Sequence, residues 1–258
     1  GDGTVQAVLT ALDRFRPDGP WPALAVAPGG TANMTASDLG ARGSPVTFLE
    51  ALARRLEEGG GASLSRVRRP VLRVEGGGAG SRSGMFFGAG VVAAGVRYFQ
   101  RRLDRVAVTG ERISAVAVGR VLLGLAFGGE TGEAAARSAT VSVDGGPAER
   151  LEGLLFLAST LERLLLGTRP YWGEGEGPIH FTLVEKGARG LWRGLPRLAL
   201  GRPGRRLTPE RGYRSHEAAR LELTLDGPIV LDGELYEARA AEGPLRISAE
   251  RVAEWVVP

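Results

Sequence analysis

One stretch near the N-terminus limits the possible folds more than any other. Residues 23–27 are a short apolar run. They lead into Pro28-Gly29-Gly30-Thr31-Ala32-Asn33, and the segment that follows is closed by Leu39-Gly40. The pattern predicts a buried strand over 23–27, a small-residue turn, and a short helix over 33–39. A turn without bulky side chains lets backbone N–H groups face an anion, and the helix behind it offers its positive end to the same point. The same residues also suit an ordinary strand-to-helix turn of an α/β protein.

A second turn adds to the first. The chain opens Gly1-Asp2-Gly3-Thr4 and continues into Val5, Val8, Leu9 and Leu12, whose spacing lays one apolar stripe on a helix. Two glycine turns therefore each open a helix, and the first carries an acid. Such a turn suits a metal-bound polyphosphate: amides hold the oxygens and the carboxylate holds Mg²⁺ directly or through water. Asp2 is equally suited to capping the helix beside it.

Composition excludes several classes. The chain has no cysteine, which removes disulfides and thiolate metal sites, and only two histidines, His180 and His216, which leaves no room for a histidine-rich centre. No run approaches the roughly 20 apolar residues of a membrane span. The net charge of +4 is carried almost entirely by arginine. It suits an anionic partner without choosing one, and no nucleic-acid-binding motif accompanies it. Glycine, at 40 of 258 residues, is about twice its usual share and predicts many tight turns.

Taken together, Gly1-Asp2-Gly3-Thr4, Pro28-Gly29-Gly30-Thr31-Ala32-Asn33, Leu39-Gly40 and the late Asp232-Gly233-Glu234 resemble, in order, the catalytic domain of the diacylglycerol kinase and sphingosine kinase superfamily. Phe86-Phe87-Gly88-Ala89-Gly90-Val91 resembles that family's small-residue segment between them. The resemblance implies an α/β, NAD kinase-like first domain, here truncated, and a β-sandwich-type second domain. The domains are expected at 1–66 and 67–244, with 245–258 returning to the first. About two strand–helix units, on the order of 50 residues, are expected upstream.

Function follows from the same resemblance. It implies transfer of the γ-phosphate of ATP, with Mg²⁺, to a lipid hydroxyl at a membrane surface, a diacylglycerol-like acceptor being favoured. It also implies a cytoplasmic, peripherally membrane-associated protein with no nucleic-acid partner. Gly1, Asp2, Gly3, Thr4, Gly29, Gly30, Thr31 and Asn33 are the expected nucleotide contacts. Asp232 is the expected base, and Asp2 and Glu234 the expected metal ligands. Two alternatives stay open: a soluble-substrate kinase related to NAD kinase, and a catalytically silent nucleotide- or lipid-binding module. The local alternatives are turn and cap chemistry for the glycine loop and a surface β-turn for Asp232-Gly233, a dipeptide that also occurs at Asp226-Gly227 and Asp144-Gly145.

Two departures from the family pattern bear on the acceptor. Glu176 stands where an aspartate is usual, in Pro170-Tyr171-Trp172-Gly173-Glu174-Gly175-Glu176-Gly177. Arg68, Arg69 and Pro70 replace an Asp-x-Gly on the first strand of the second domain.

Elsewhere, Ser44-Pro45 predicts the start of a helix whose stripe is Leu49, Leu52, Ala53 and Leu56, ending at Gly59-Gly60-Gly61. Alternation predicts strands over 67–75, 85–87, 140–143, 154–158, 179–185, 219–225 and 229–231. Helices are predicted over 91–103 and 113–127. Residues 188–206 place Arg189, Arg193 and Arg197 four apart, which reads either as a solvated helix face or as an interfacial helix at anionic head groups.

Overall fold

The computed structural model describes residues 1–103, 136–191, 197, 199–202 and 207–258. The expected helix over 113–127 lies outside the described residues, as does much of the basic stretch 188–206.

The N-terminal region is α/β in character. Helix α1 (Asp2–Phe15) buries Val5 and Leu9, while Val8, expected on the same stripe, is 42% exposed. The reason is a polar seam along the helix. Gln6, Thr10 and Asp13 are spaced one helical turn apart; Gln6 donates to the Thr10 hydroxyl (3.1 Å), and Thr10 and Asp13 dock on the strand containing Ser83. The Thr10 hydroxyl donates to the Ser83 carbonyl (3.2 Å) and accepts from its N–H (3.0 Å), and the Ser83 hydroxyl donates to Asp13 (3.0 Å). This seam turns Val8 outward.

The expected strand over 23–27 is reduced to one bridge, Leu24 parallel to Trp255. The Leu24 N–H donates to the Glu254 carbonyl (2.9 Å), and the Val256 N–H donates to the Leu24 carbonyl (2.8 Å). Among the described residues no backbone hydrogen bond reaches Ala23 or Ala25 from the other edge, so the segment is extended without a ladder. Helix α2 (Met34–Asp38) follows and stops at Gly40, whose φ of 86° suits a residue without Cβ.

Helix α3 (Pro45–Gly59) begins as expected. The Thr47 N–H donates to the Ser44 hydroxyl (3.1 Å) and the Ser44 N–H donates to the Thr47 hydroxyl (2.9 Å), a complete capping box. Its inward face, however, keeps only Leu52 of the expected stripe, partly buried against the same cluster. Phe48 alone is buried, packed with Ala36 and Ala41, and Leu49 and Leu56 are 55% and 45% exposed. A phenyl ring fills the space over two alanines better than the neighbouring leucines. Seating residue 48 turns residue 49 about 100° away.

The remainder is mostly strand: β1 (Ser65–Gly76), β2 (Ser81–Gly84), β3 (Phe86–Gly90), β4 (Arg137–Val143), β5 (Glu149–Ser159), β6 (Glu174–Gly175), β7 (Ile179–Glu185), β8 (Tyr213–Ala218), β9 (Arg220–Leu225), β10 (Gly227–Leu231), β11 (Glu234–Ala238) and β12 (Leu245–Val257), with helix α4 (Val91–Leu103) after β3. The expected sandwich is one continuous hydrogen-bonded sheet, ordered β11-β10-β3-β5-β4-β9-β12-β1-β2, with β7, β8 and β6 branching from β5. The branch arises because β5 changes partner along one edge, from β4 at 149–153 to β3 at 155–159, while β7 covers the other edge. The chain also passes from β2, paired with β1, through Met85 into β3, paired with β5 and β10. Met85, expected within a strand, is thus the break between two.

Alternation along these strands builds two cores. Leu72, Phe87, Phe156, Phe181, Leu223, Ile229 and Ile247 point to one side and form the inner core. Val71, Phe86, Leu157 and Val230 point to the other, where they meet Val5 and Leu9 of α1 and Val92 and Ala93 of α4. The long strand β12 ties the regions together. It runs antiparallel to β1 from Ser65↔Val257 to Gly76↔Leu245, pairs with β9 at its start, and carries the Leu24 bridge near its end.

Candidate active site

The three glycine motifs, far apart in sequence, meet at the start of α1. Gly1 caps that helix and touches the second glycine turn backbone to backbone: a Cβ on Gly1 would lie 2.8 Å from the Gly30 Cα. Both positions therefore require glycine. A Cβ on Gly3 would collide with the Glu234 carboxylate, so the third motif reaches the same helix end. Gly29, Thr4 and Thr31 are exposed beside this junction.

Asp2 does not cap its own helix. Its carboxylate is buried and accepts from the first N–H groups of α2, Met34 to Oδ2 (3.1 Å) and Thr35 to Oδ1 (3.0 Å). A carboxylate at a helix N-terminus meets both the free amides and the positive end of the helix. Asn33, the residue before α2, has φ 49° and spends its side-chain amide on the loop itself. It accepts from the Gly30 N–H (2.6 Å) and donates to the Gly30 carbonyl (2.7 Å). Asp2 and Asn33 thus shape the turn that presents Gly29, Gly30 and Thr31.

Asp232 and Gly233 form the two-residue turn between β10 and β11, with φ of 49° and 89°. This is the Asp-Gly hairpin geometry, but its aspartate is not at the surface. Asp232 is 2% exposed and accepts from two N–H groups at the β2–β3 break, Met85 to Oδ2 (2.9 Å) and Phe86 to Oδ1 (2.9 Å). The turn also ends the strand before Glu234, so the two acids leave it in different directions. Asp232 points in and Glu234 lies exposed over α1. Burial pushes the Asp232 carboxyl well above the usual carboxylate range; the Met85 and Phe86 amides oppose that rise, and the nearby Asp2 charge adds to it.

Several partners of this cluster escaped the sequence reading. Gly84 is one: a Cβ there would lie 2.5 Å from Asp232 Oδ2 and 2.9 Å from the Leu231 side chain. The Met85 and Phe86 amides are others, since no side-chain pattern reports a backbone donor. Asp38 is a third. Its side chain is 1% exposed and takes the Arg69 Nε–H (2.9 Å) and the Arg163 N–H (2.8 Å), joining α2 to β1 and to the loop after β5. The Gln6–Thr10–Asp13 seam was legible as a polar period within an apolar helix.

Glu176 is not part of the cluster. It is exposed beside β6, separated from β10 in the sheet by β8, β7, β5 and β3. Close to it, Tyr171 stacks on His180 at 4.5 Å, and His180 Nδ1 lies 2.6 Å from Glu217.

The cluster can be tested for fit to a nucleotide and its metal. Two glycine turns in backbone contact, with an exposed threonine and a helix start, leave room and amides for phosphate oxygens. Among the described residues no group of three acids or histidines forms a closed metal cage. Mg²⁺ commonly takes only one or two carboxylates together with phosphates and water, and Glu234 is the exposed one here.

Residues 1–60 match the family model of the diacylglycerol kinase catalytic domain. Over that stretch the chain is similar to a diacylglycerol kinase catalytic domain. Its fold agrees over the full length. Three crystal structures from Bacillus anthracis str. Sterne, described as diacylglycerol kinases, two of them provisionally, each cover 100% of this chain. The TM-scores are 0.58, 0.54 and 0.55, at 16%, 16% and 17% identity, over 74%, 74% and 75% of those chains. At such identity the likeness establishes the fold alone. No curated protein matches this chain in sequence. Among its described residues no helix is long and apolar enough to cross a membrane.

Proposed function

We propose that this chain transfers the γ-phosphate of ATP to a lipid hydroxyl, with a diacylglycerol-like acceptor. The observation that carries this reading is the meeting of Gly1–Thr4, Gly29–Asn33 and Asp232–Glu234 at one helix start. Residues 1–66 with 245–258 form the nucleotide side and residues 67–244 the acceptor side. The amides around Gly1, Gly3, Gly29 and Gly30 and the hydroxyls of Thr4 and Thr31 hold phosphate oxygens. Asp2 and Asn33 fix the shape of that cradle. Glu234, supported by the Asp2 charge, would hold Mg²⁺, which would supply positive charge to offset that of the phosphates.

Asp232 is the group that takes the acceptor hydroxyl's proton. Its raised proton affinity brings it closer to the range a general base needs. Each of its oxygens retains a lone pair beyond the one its amide occupies. Phosphate transfer from labelled Mg²⁺·ATP to lipids in mixed micelles tests the reading. Asp232→Asn should lower turnover by about 10²–10⁴. Near-parent turnover in that variant would remove Asp232 from the role.

A second reading is favoured by the burial of both aspartates, whose four oxygens all accept backbone N–H groups. On it, Asp2 and Asp232 are clamps, and the chain binds nucleotide or lipid without chemistry. Calorimetric ATP binding with no ADP formed in the presence of any lipid would select it.

A further inference from the structure

The buried end of Asp232 is held across three neighbouring strands, β10, β3 and β5. The Phe86 N–H that donates to Asp232 Oδ1 (2.9 Å) belongs to the same amide as the Met85 carbonyl. That carbonyl accepts from the Ser159 hydroxyl (2.9 Å) and from the Thr160 N–H (3.1 Å). Ser159 stands opposite Phe86 in the β3–β5 register, is fully buried, and accepts from the Leu161 N–H (3.1 Å), which fixes the direction of its hydroxyl. The Asp232 N–H in turn donates to the Phe86 carbonyl (2.9 Å). One amide thus has a hydroxyl donor at its oxygen and a carboxylate acceptor at its N–H. A donor at the carbonyl polarises an amide and strengthens its N–H as a donor, so the two hydrogen bonds reinforce each other.

We propose that Ser159 is a positioning residue for Asp232, acting through the Met85–Phe86 amide. The proposal rests on the kinase reading only in giving Asp232 a substrate to act on; the hydrogen-bonded chain itself does not depend on it. Nothing in the chain motifs singles out Ser159, because the link passes through the backbone.

Removing the hydroxyl leaves the Met85 carbonyl paired with the Thr160 N–H, so the loss falls on polarisation and orientation. The Leu161 N–H loses its acceptor in Ser159→Ala and keeps it in Ser159→Thr, which is therefore the control. Two readouts are needed. In ¹H–¹⁵N NMR spectra the Phe86 amide proton should move upfield by a few tenths of a ppm in Ser159→Ala and return in Ser159→Thr. In the phosphate-transfer assay kcat should fall about tenfold in Ser159→Ala with KM for ATP unchanged, and recover in Ser159→Thr. Ser159→Cys, a weak donor of similar size, should lie between them and carries the test should the alanine variant not fold. A Phe86 resonance unchanged in the alanine and cysteine variants would overturn the proposal. So would an unchanged kcat where Asp232→Asn has lost turnover. Full turnover in Asp232→Asn would instead remove Asp232 from the base's role, and no transfer by the parent chain would remove the kinase reading; either result leaves the Phe86 shift to judge the link through Ser159.

Discussion

Single atoms decide how closely the three motifs can meet. Gly30 faces the Gly1 backbone, Gly84 faces Asp232 and Leu231, and Gly3 faces only the end of the Glu234 side chain. Backbone cannot move aside, and neither can the buried, amide-bound Asp232 or the buried Leu231, whereas an exposed glutamate can swing. Gly30→Ala and Gly84→Ala should each cost about 1–3 kcal/mol in denaturant unfolding, as overpacking does. Gly3→Ala should cost much less stability and act by displacing Glu234. A loss in Gly3→Ala equal to that in Gly30→Ala would contradict this ranking. Asp232 also leaves a signature in pH. Its proton is held more tightly in the folded chain than in the unfolded one. The associated stability is present below the ordinary carboxylate range and is lost as pH rises through the raised folded value. The stability of the parent relative to Asp232→Asn should therefore fall as pH rises from about 4. A difference that stays flat or grows over that interval would mean the proton is not held more tightly in the folded chain.

Among the elements, α3 separates what a sequence discloses from what only packing decides. Its start was legible, because Ser44, Pro45 and Thr47 carry the cap in their own chemistry. Its inward face was not, since Phe48 and the Leu49 stripe compete and the alanines of α2 and the following loop settle the rotation. Phe48→Ala should cost about 3–5 kcal/mol, and Leu49→Ala less than about 0.5, measured by urea unfolding. Equal losses would mean that the expected stripe is the buried one. The candidate site divides in the same way. The glycines and acids were legible because turns and carboxylates announce themselves. Two details were not, because both are set by long-range pairing: that Asp2 serves α2 rather than α1, and that Asp232 faces the Met85 break. The segment over 23–27 shows the reverse limit. Its apolar run promised a strand, but a ladder needs a partner along its length, and only Leu24 finds one.

For the whole molecule, the strands were largely legible and their closure into one sheet was not, because β5 and β2–β3 change partners part-way along. That closure depends on β1 and β12, which pair from Ser65↔Val257 to Gly76↔Leu245. On a ribosome the first of these strands emerges long before the second. At about 5–20 residues per second, the interval is roughly 10–40 s. During that time β1 has no β12 beside it, the extended segment at Leu24 lacks its bridge, and Asp2 waits for the turn that brings Asp232 near. Until residues 245–257 are made, β1 and β9 each keep one edge open.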